Sequence, residues 1–181
     1  MSDNIKRTAM LGVLLAAQVV AGRFITISLP IAKIGFTFLP IAMTGILYGP
    51  FWCAVSAGLG DILVAILSGY GYYPPMTVSA ILTGLIYGFL LYKKPMSLRR
   101  ITAAVLLESI PVSIFLQSFW LMLLTGQGYL ALVATRTLQN AVMIPISILG
   151  IRYVAYPILE HLPASLSSPV LKPSHASSRS K

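Results

Sequence analysis

Between Ile101 and Leu124 the chain carries a single charged side chain, Glu108, in a run long enough to cross a bilayer as a helix, which takes about 20 residues. Five other stretches, at about 8–24, 35–48, 51–67, 76–92 and 130–155, are similarly apolar. In hydrocarbon every backbone N–H and C=O must find its partner inside the protein, so such stretches are expected to be helices. The chain is 57% hydrophobic and only 9% charged, which leaves no material for a sizeable soluble domain. The expected fold is therefore an all-α membrane protein, a six-helix bundle. The run at 35–48 is short for a span, and a re-entrant segment is an alternative there. The first run follows Lys6 and Arg7 as a signal peptide would, but five more apolar runs behind it mark it as the first span. Residues 1–158 form one membrane domain in this reading, and the Ser-, Pro- and Lys-rich segment 159–181 is expected to be a disordered tail.

Local breaks punctuate the runs. Gly49-Pro50 reads as a tight turn, residues 25–34 as a semi-apolar loop broken by Pro30, and 68–75 as an aromatic loop stiffened by Pro74 and Pro75. Pro111 should kink the fifth helix. Ala80, Gly84 and Gly88 recur every four residues, a seam for close helix packing, with Ser79, Thr83 and Tyr87 beside it. The first helix carries two overlapping small pairs, Gly12/Ala16 and Ala17/Ala21, which serve either packing within the chain or the docking of a partner.

The net charge of +9 does not indicate nucleic acid, because the basic residues are distributed as topogenic signals. Six helices put both termini on one side, and Lys6, Arg7, Lys93, Lys94, Arg99, Arg100, Arg152, Lys172, Arg179 and Lys181 then share it, which makes it cytoplasmic. Arg23, Lys33 and Arg136 remain at or near the opposite face. Basic groups there oppose the topological preference, so another cause should require them. Arg136 lies roughly 8 Å inside its helix at 1.5 Å per residue, and Asp61 sits at similar depth.

Polar residues inside the fifth and sixth helices form stripes. Ser109, Ser113, Gln117 and Trp120 share one face of the fifth, and Arg136, Gln139, Asn140 and Met143 one face of the sixth. A guanidinium costs roughly 2.5–3.5 kcal/mol at the centre of a membrane helix, so Arg136 either snorkels to the interface or faces a cavity. Gln139 and Asn140 on its face favour the cavity. An anionic ligand entering from outside explains the three leftover cations together, since arginine grips carboxylates through paired donors. Tyr72, Tyr73, Trp120 and Tyr129 lie at the same level and either stack on a flat ring or form the ordinary aromatic belt.

Several chemistries lack their parts. No phosphate-binding GxxxxGK[ST] loop and no HExxH or GxSxG motif occurs, so no enzyme activity is expected. His161 and His175 both fall in the tail, so no metal or cofactor is expected, and Cys53 is the one cysteine. Asp61 and Glu108 lie on different helices at different depths, against a paired-carboxylate site.

These residues resemble the folate-specific substrate-binding (S) component of energy-coupling factor (ECF) transporters. The resemblance runs over about residues 20–150: RFITISLPIAKIGFTFLPIAMTGILYGP at 23–50, LGDILVAIL and YYPPMTVSAILTGLIYG up to Gly88, QSFWLMLLTG at 117–126 and RTLQNAVMIPI at 136–146. Departures are Gln117-Ser118 where the family usually has Asn-Thr, Pro74-Pro75-Met76 for Pro-Gly-Phe, and Gln139 for a frequent Lys; they bear on fine specificity. The resemblance implies an S-component bundle in the plasma membrane with an outward-facing pocket. Folate or a reduced folate would be held by Arg23, Lys33, Arg136, Trp120, Gln117, Asn140, Tyr72 and Tyr73. It also implies a transmembrane coupling protein, docked on Gly12, Ala16, Ala17 and Ala21, and two ABC-type ATPases. An S component for another planar anionic vitamin and a self-sufficient facilitator are the alternatives.

Overall fold

A computed structural model describes residues 3–24, 26–28, 33–69, 72–94, 97–155 and 157. The tail expected at 159–181 lies outside the described residues. Helix α1 (Asp3–Arg23) leads into strands β1 (Thr26–Ser28) and β2 (Lys33–Gly35), which pair antiparallel with Ile27 opposite Ile34. The segment read as a loop thus contains a short ribbon. The β-branched Thr26 and Ile27 in one strand and Ile34 in the other suit extended backbone.

Helix α2 (Phe38–Ser68) is broken at Gly49, where φ is 85° and ψ −176°. Glycine alone adopts that geometry without a Cβ penalty, and Pro50 next to it cannot continue the backbone ladder. The chain reverses there. The Cys53 thiol donates to the Ile41 carbonyl at 3.2 Å, whereas residues twelve apart on a straight helix lie roughly 18 Å apart. Residues 38–48 and 50–68 are therefore two limbs lying side by side, and the expected break at Gly49-Pro50 is present. The first limb, short for a span, is the most enclosed stretch among the described residues: Phe38 and residues 40–47 are all buried. A helix apolar all round belongs at the centre of a bundle.

Helix α3 (Pro74–Leu91) starts on two prolines, whose missing N–H groups cost nothing in a first turn. The Ala80–Gly84–Gly88 seam packs on the second limb of α2. A Cβ on Gly84 would come within 2.7 Å of the Cys53 carbonyl oxygen, and one on Gly88 would strike the Pro50 backbone. The two backbones meet directly, which only residues this small allow.

Helix α4 (Leu98–Glu108), a π-helical stretch π1 (Ser109–Leu116) and helix α5 (Gln117–Thr125) form one continuous rod. The kink expected at Pro111 takes the form of π1: the wider turn accommodates a residue that has no N–H and crowds the preceding turn. Gly126, with φ 68°, caps α5 in the left-handed conformation, its N–H bonding the Met122 carbonyl at 2.8 Å. Helix α6 (Tyr129–Gly150) runs back and ends in a second π stretch, π2 (Ile151–Ala155). Four rods are long and apolar enough to cross a membrane: Phe38–Ser68, Pro74–Leu91, Leu98–Thr125 and Tyr129–Val154, with Thr8–Arg23 as a shorter apolar helix. The protein is a multi-pass membrane protein.

The apolar core lies at one end of this bundle, where Ile41, Ile46, Leu47, Leu91, Ile101, Val105 and Ile151 pack together. Helix α1 docks on α2 through Leu14, Gln18 and Ala21, and the Gln18 amide donates to the Ala57 carbonyl at 3.3 Å. Gly12, Ala16 and Ala17 face outward, and nothing lies within 4 Å of a Cβ built on Gly12. Ala21, read with them as part of a docking surface, is only 5% exposed and packs inside the chain. The two small pairs do not share one face: spacing places Ala21 with Leu14 and Gln18 at i, i+4 and i+7.

Candidate ligand-binding cavity

Toward the other end of the bundle the helices part around a cavity of about 350 Å³. One wall comes from the α4–α5 rod, with Glu108, Ser109, Ser113 and Gln117, and the facing wall from α6, with Arg136, Gln139, Asn140, Met143 and Ser147. Asp61, Gly60 and Val64 of α2 and Ala80, Thr83 and Tyr87 of α3 complete the sides. Gly22, Gly35 and Thr37 line it where α1 and the β-ribbon approach, and β2 packs against α6.

The two polar stripes meet across this space. Arg136 Nη1 donates to Gln117 Oε1 at 3.1 Å, and Asn140 Nδ2 donates to Ser113 Oγ at 3.0 Å and to the Arg136 carbonyl at 2.9 Å. Arg136 is thus a cavity residue and does not reach past the wall to the interface. Among the described residues no carboxylate lies within ion-pairing distance of its guanidinium, which meets a neutral amide instead. A cation in an enclosed, low-dielectric site with only a neutral partner attracts an anion strongly.

The two membrane carboxylates line the same cavity, although the sequence suggested they were kept apart. Asp61 Oδ2 accepts from the Thr77 hydroxyl at 2.8 Å, and the Tyr72 hydroxyl lies 3.3 Å from the same Thr77 oxygen. Glu108 Oε2 accepts from the Ser109 hydroxyl at 3.3 Å. Glu108 joins the Ser109–Ser113–Gln117 face because i→i+5 bonding in π1 places residues about five apart on one side, which the 3.6-residue period does not. That register change was the signal missed; Pro111 was its only trace in the sequence. Met143, Thr83 and Tyr87, read only as stripe or seam residues, also line the cavity, as does Ser147, which the spacing did not single out.

Of the residues expected to bind a ligand, Gln117, Arg136 and Asn140 are brought together in the wall. Trp120 is not in it: its ring leans on Phe119, with centroids 5.2 Å apart, and its buried indole N–H has no partner among the described residues. Tyr72 is exposed and Tyr73 half-buried, at the start of α3 and outside the wall. Arg23 is exposed in the last turn of α1. Lys33 begins β2 opposite Ser28, and its side chain lies outside the described residues.

The model of the S component of ECF-type riboflavin transporters matches residues 2–162. The chain belongs to the S components of ECF-type transporters. It is 33% identical over 150 residues to the folate transporter FolT of Clostridium novyi (strain NT), covering 82% of this chain and 87% of that one. To the folate transporter FolT of Leuconostoc mesenteroides it is 27% identical over 155 residues, covering 82% and 83%. The crystal structure of FolT bound with folic acid matches this S component with a TM-score of 0.78 at 33% identity, over 84% of this chain and 93% of that one. An S component for biotin, at 18% identity and a TM-score of 0.64 over 86% and 95%, shares the fold.

Proposed function

We propose that this S component captures folate or a reduced folate from outside the cell, and hands it to a transport module powered by separate ATPases. The observation that carries the reading is Arg136 inside the cavity with no carboxylate partner among the described residues, in a chain similar to two folate transporters and to FolT with folic acid bound. Folate supplies both what Arg136 lacks, a carboxylate, and a planar ring for the polar wall. Gln117, Asn140 and Arg136 bind it there. Arg23 and Lys33, on the segment running past the mouth, draw the anion in, and Trp120, Tyr72 and Tyr73 shape the surroundings from outside the wall.

Riboflavin is the second reading, because the matching family model describes riboflavin transporters. Riboflavin has no carboxylate, so it would leave the guanidinium uncompensated in a dehydrated site. Titration calorimetry on the purified chain separates the two: folic acid binds and riboflavin shows no saturable heat. Riboflavin binding with folic acid inert would reverse the assignment.

The reversal at Gly49 divides Phe38–Ser68 into two crossings, so we read six crossings in all, with both termini cytoplasmic. Ten of the thirteen basic residues then lie on the cytoplasmic side. The cavity opens outward and the apolar core closes the cytoplasmic half, which gives no continuous polar path for a facilitator. Energy must come from a partner, and the exposed Gly12, Ala16 and Ala17 offer a flat surface for a coupling protein's helix. Ala17→Trp is expected to leave folic acid binding near normal and to reduce uptake by the assembled complex in liposomes. Ala21→Trp, inside the chain, lowers both together. Unimpaired uptake by Ala17→Trp would exclude this face as the docking surface.

A further inference from the structure

Glu108 stands at the end of the cavity away from Arg136. Gln117, which Arg136 bonds, and Glu108 are nine residues apart on one rod, at most roughly 13 Å at 1.5 Å per residue. On α6 the cavity continues from Arg136 to Ser147, eleven residues and roughly 16 Å along the axis. The space is therefore elongated, with a guanidinium near its mouth and a carboxylate near its floor. Among the described residues the Ser109 hydroxyl, at 3.3 Å, is the one hydrogen-bond donor to Glu108, and no cation pairs with it. Asp61 lies closer to the level of Arg136, and its one hydroxyl donor, Thr77, holds it at the shorter distance of 2.8 Å.

We infer that Glu108 is the specificity-determining acceptor for the ring end of the ligand, receiving the paired donors of a 2-amino-4-oxopyrimidine edge. The inference rests on the reading of the cavity as a folate site. That edge presents an exocyclic amine and a ring N–H side by side, and a carboxylate accepts such a pair through both oxygens, as it accepts the fork of an arginine. The ligand enters ring first, and its own carboxylates stop at Arg136. Entry tail first would set those carboxylates against Glu108, like charges in a low-dielectric site. A flavin edge has carbonyl oxygens on both sides of its ring N–H and so turns acceptors toward Glu108, which disfavours it at the floor as Arg136 does at the mouth.

The test compares folic acid with its 2-desamino-2-methyl analogue, by titration calorimetry on the full chain in detergent. The unmodified protein is expected to prefer folic acid by about 10-fold or more, the range of a hydrogen bond to a charged group. Glu108→Gln is expected to lose the preference, folic acid falling to the affinity of the analogue. Equal affinities for the two ligands in the unmodified protein overturn the assignment without any variant, so a misfolded Glu108→Gln chain does not shield it. A preference intact in Glu108→Gln but lost in Asp61→Asn overturns it as well, and seats the ring at the mouth. If the unmodified protein binds neither compound, the folate reading itself falls.

Discussion

Arg136→Ala lowers the affinity for folic acid by about 30-fold or more while the chain remains folded. Removing one partner of a dehydrated, hydrogen-bonded charge pair costs roughly 2–5 kcal/mol, and each 1.4 kcal/mol is a factor of ten. The variant leaves the ligand carboxylate in the cavity with Gln117 and Asn140, which donate through neutral amides. Arg136→Lys recovers part of the loss, because the charge returns but the planar fork does not. A pterin without a carboxylate, such as 6-methylpterin, shows no such dependence on Arg136. Calorimetry on the three proteins measures all of this. Unchanged folic acid affinity in Arg136→Ala would make the arginine a structural partner of Gln117 and remove the main support for an anionic ligand.

Gly88→Ala prevents the chain from reaching its folded state. The added methyl meets the Pro50 backbone, which has no rotamer to move, and it does so beside the reversal at Gly49. Overpacking usually costs 1–3 kcal/mol, and a clash between two backbones falls at or beyond about 3 kcal/mol. Size-exclusion elution in detergent and a thermal melt report it, as aggregation or a strongly lowered midpoint. Gly12→Ala is the control, since its methyl enters open space. Equal melting of the two variants would show that the α2–α3 seam is looser than the backbone contact implies.

Much of this architecture was legible because it is written locally. Gly49-Pro50 breaks a helix by its own covalent geometry, and the glycines of 80–88 can only be a close seam. The facing of the Ser113–Gln117 and Arg136–Asn140 stripes was readable too, since hydrocarbon leaves two polar faces on adjacent helices nowhere to go except toward one another. What spacing could not supply was the rotation of each helix about its axis. Trp120 fits the stripe at 3.6 residues per turn yet lies outside the wall, although Gln117 three residues before it on α5 lines the cavity, and Glu108, off the stripe by that period, enters the wall beside π1. Ala21 shows the same limit on α1, where a spacing that suited an outer surface turned out to be an inner one.

By itself, the sequence determined that this protein lies in a membrane, that its chain runs in apolar helices broken at particular glycines and prolines, and that Arg136 shares a helix face with Gln139 and Asn140. Each follows from transfer energies and covalent geometry, which act residue by residue. The tertiary structure alone decided that Asp61, Glu108 and Arg136 share one cavity, that the limb 38–48 is buried at the centre of the bundle, and which small residues of α1 remain outside. Those depend on helix rotation and register, set by packing between segments far apart in the chain, and no local pattern encodes the sum of such contacts.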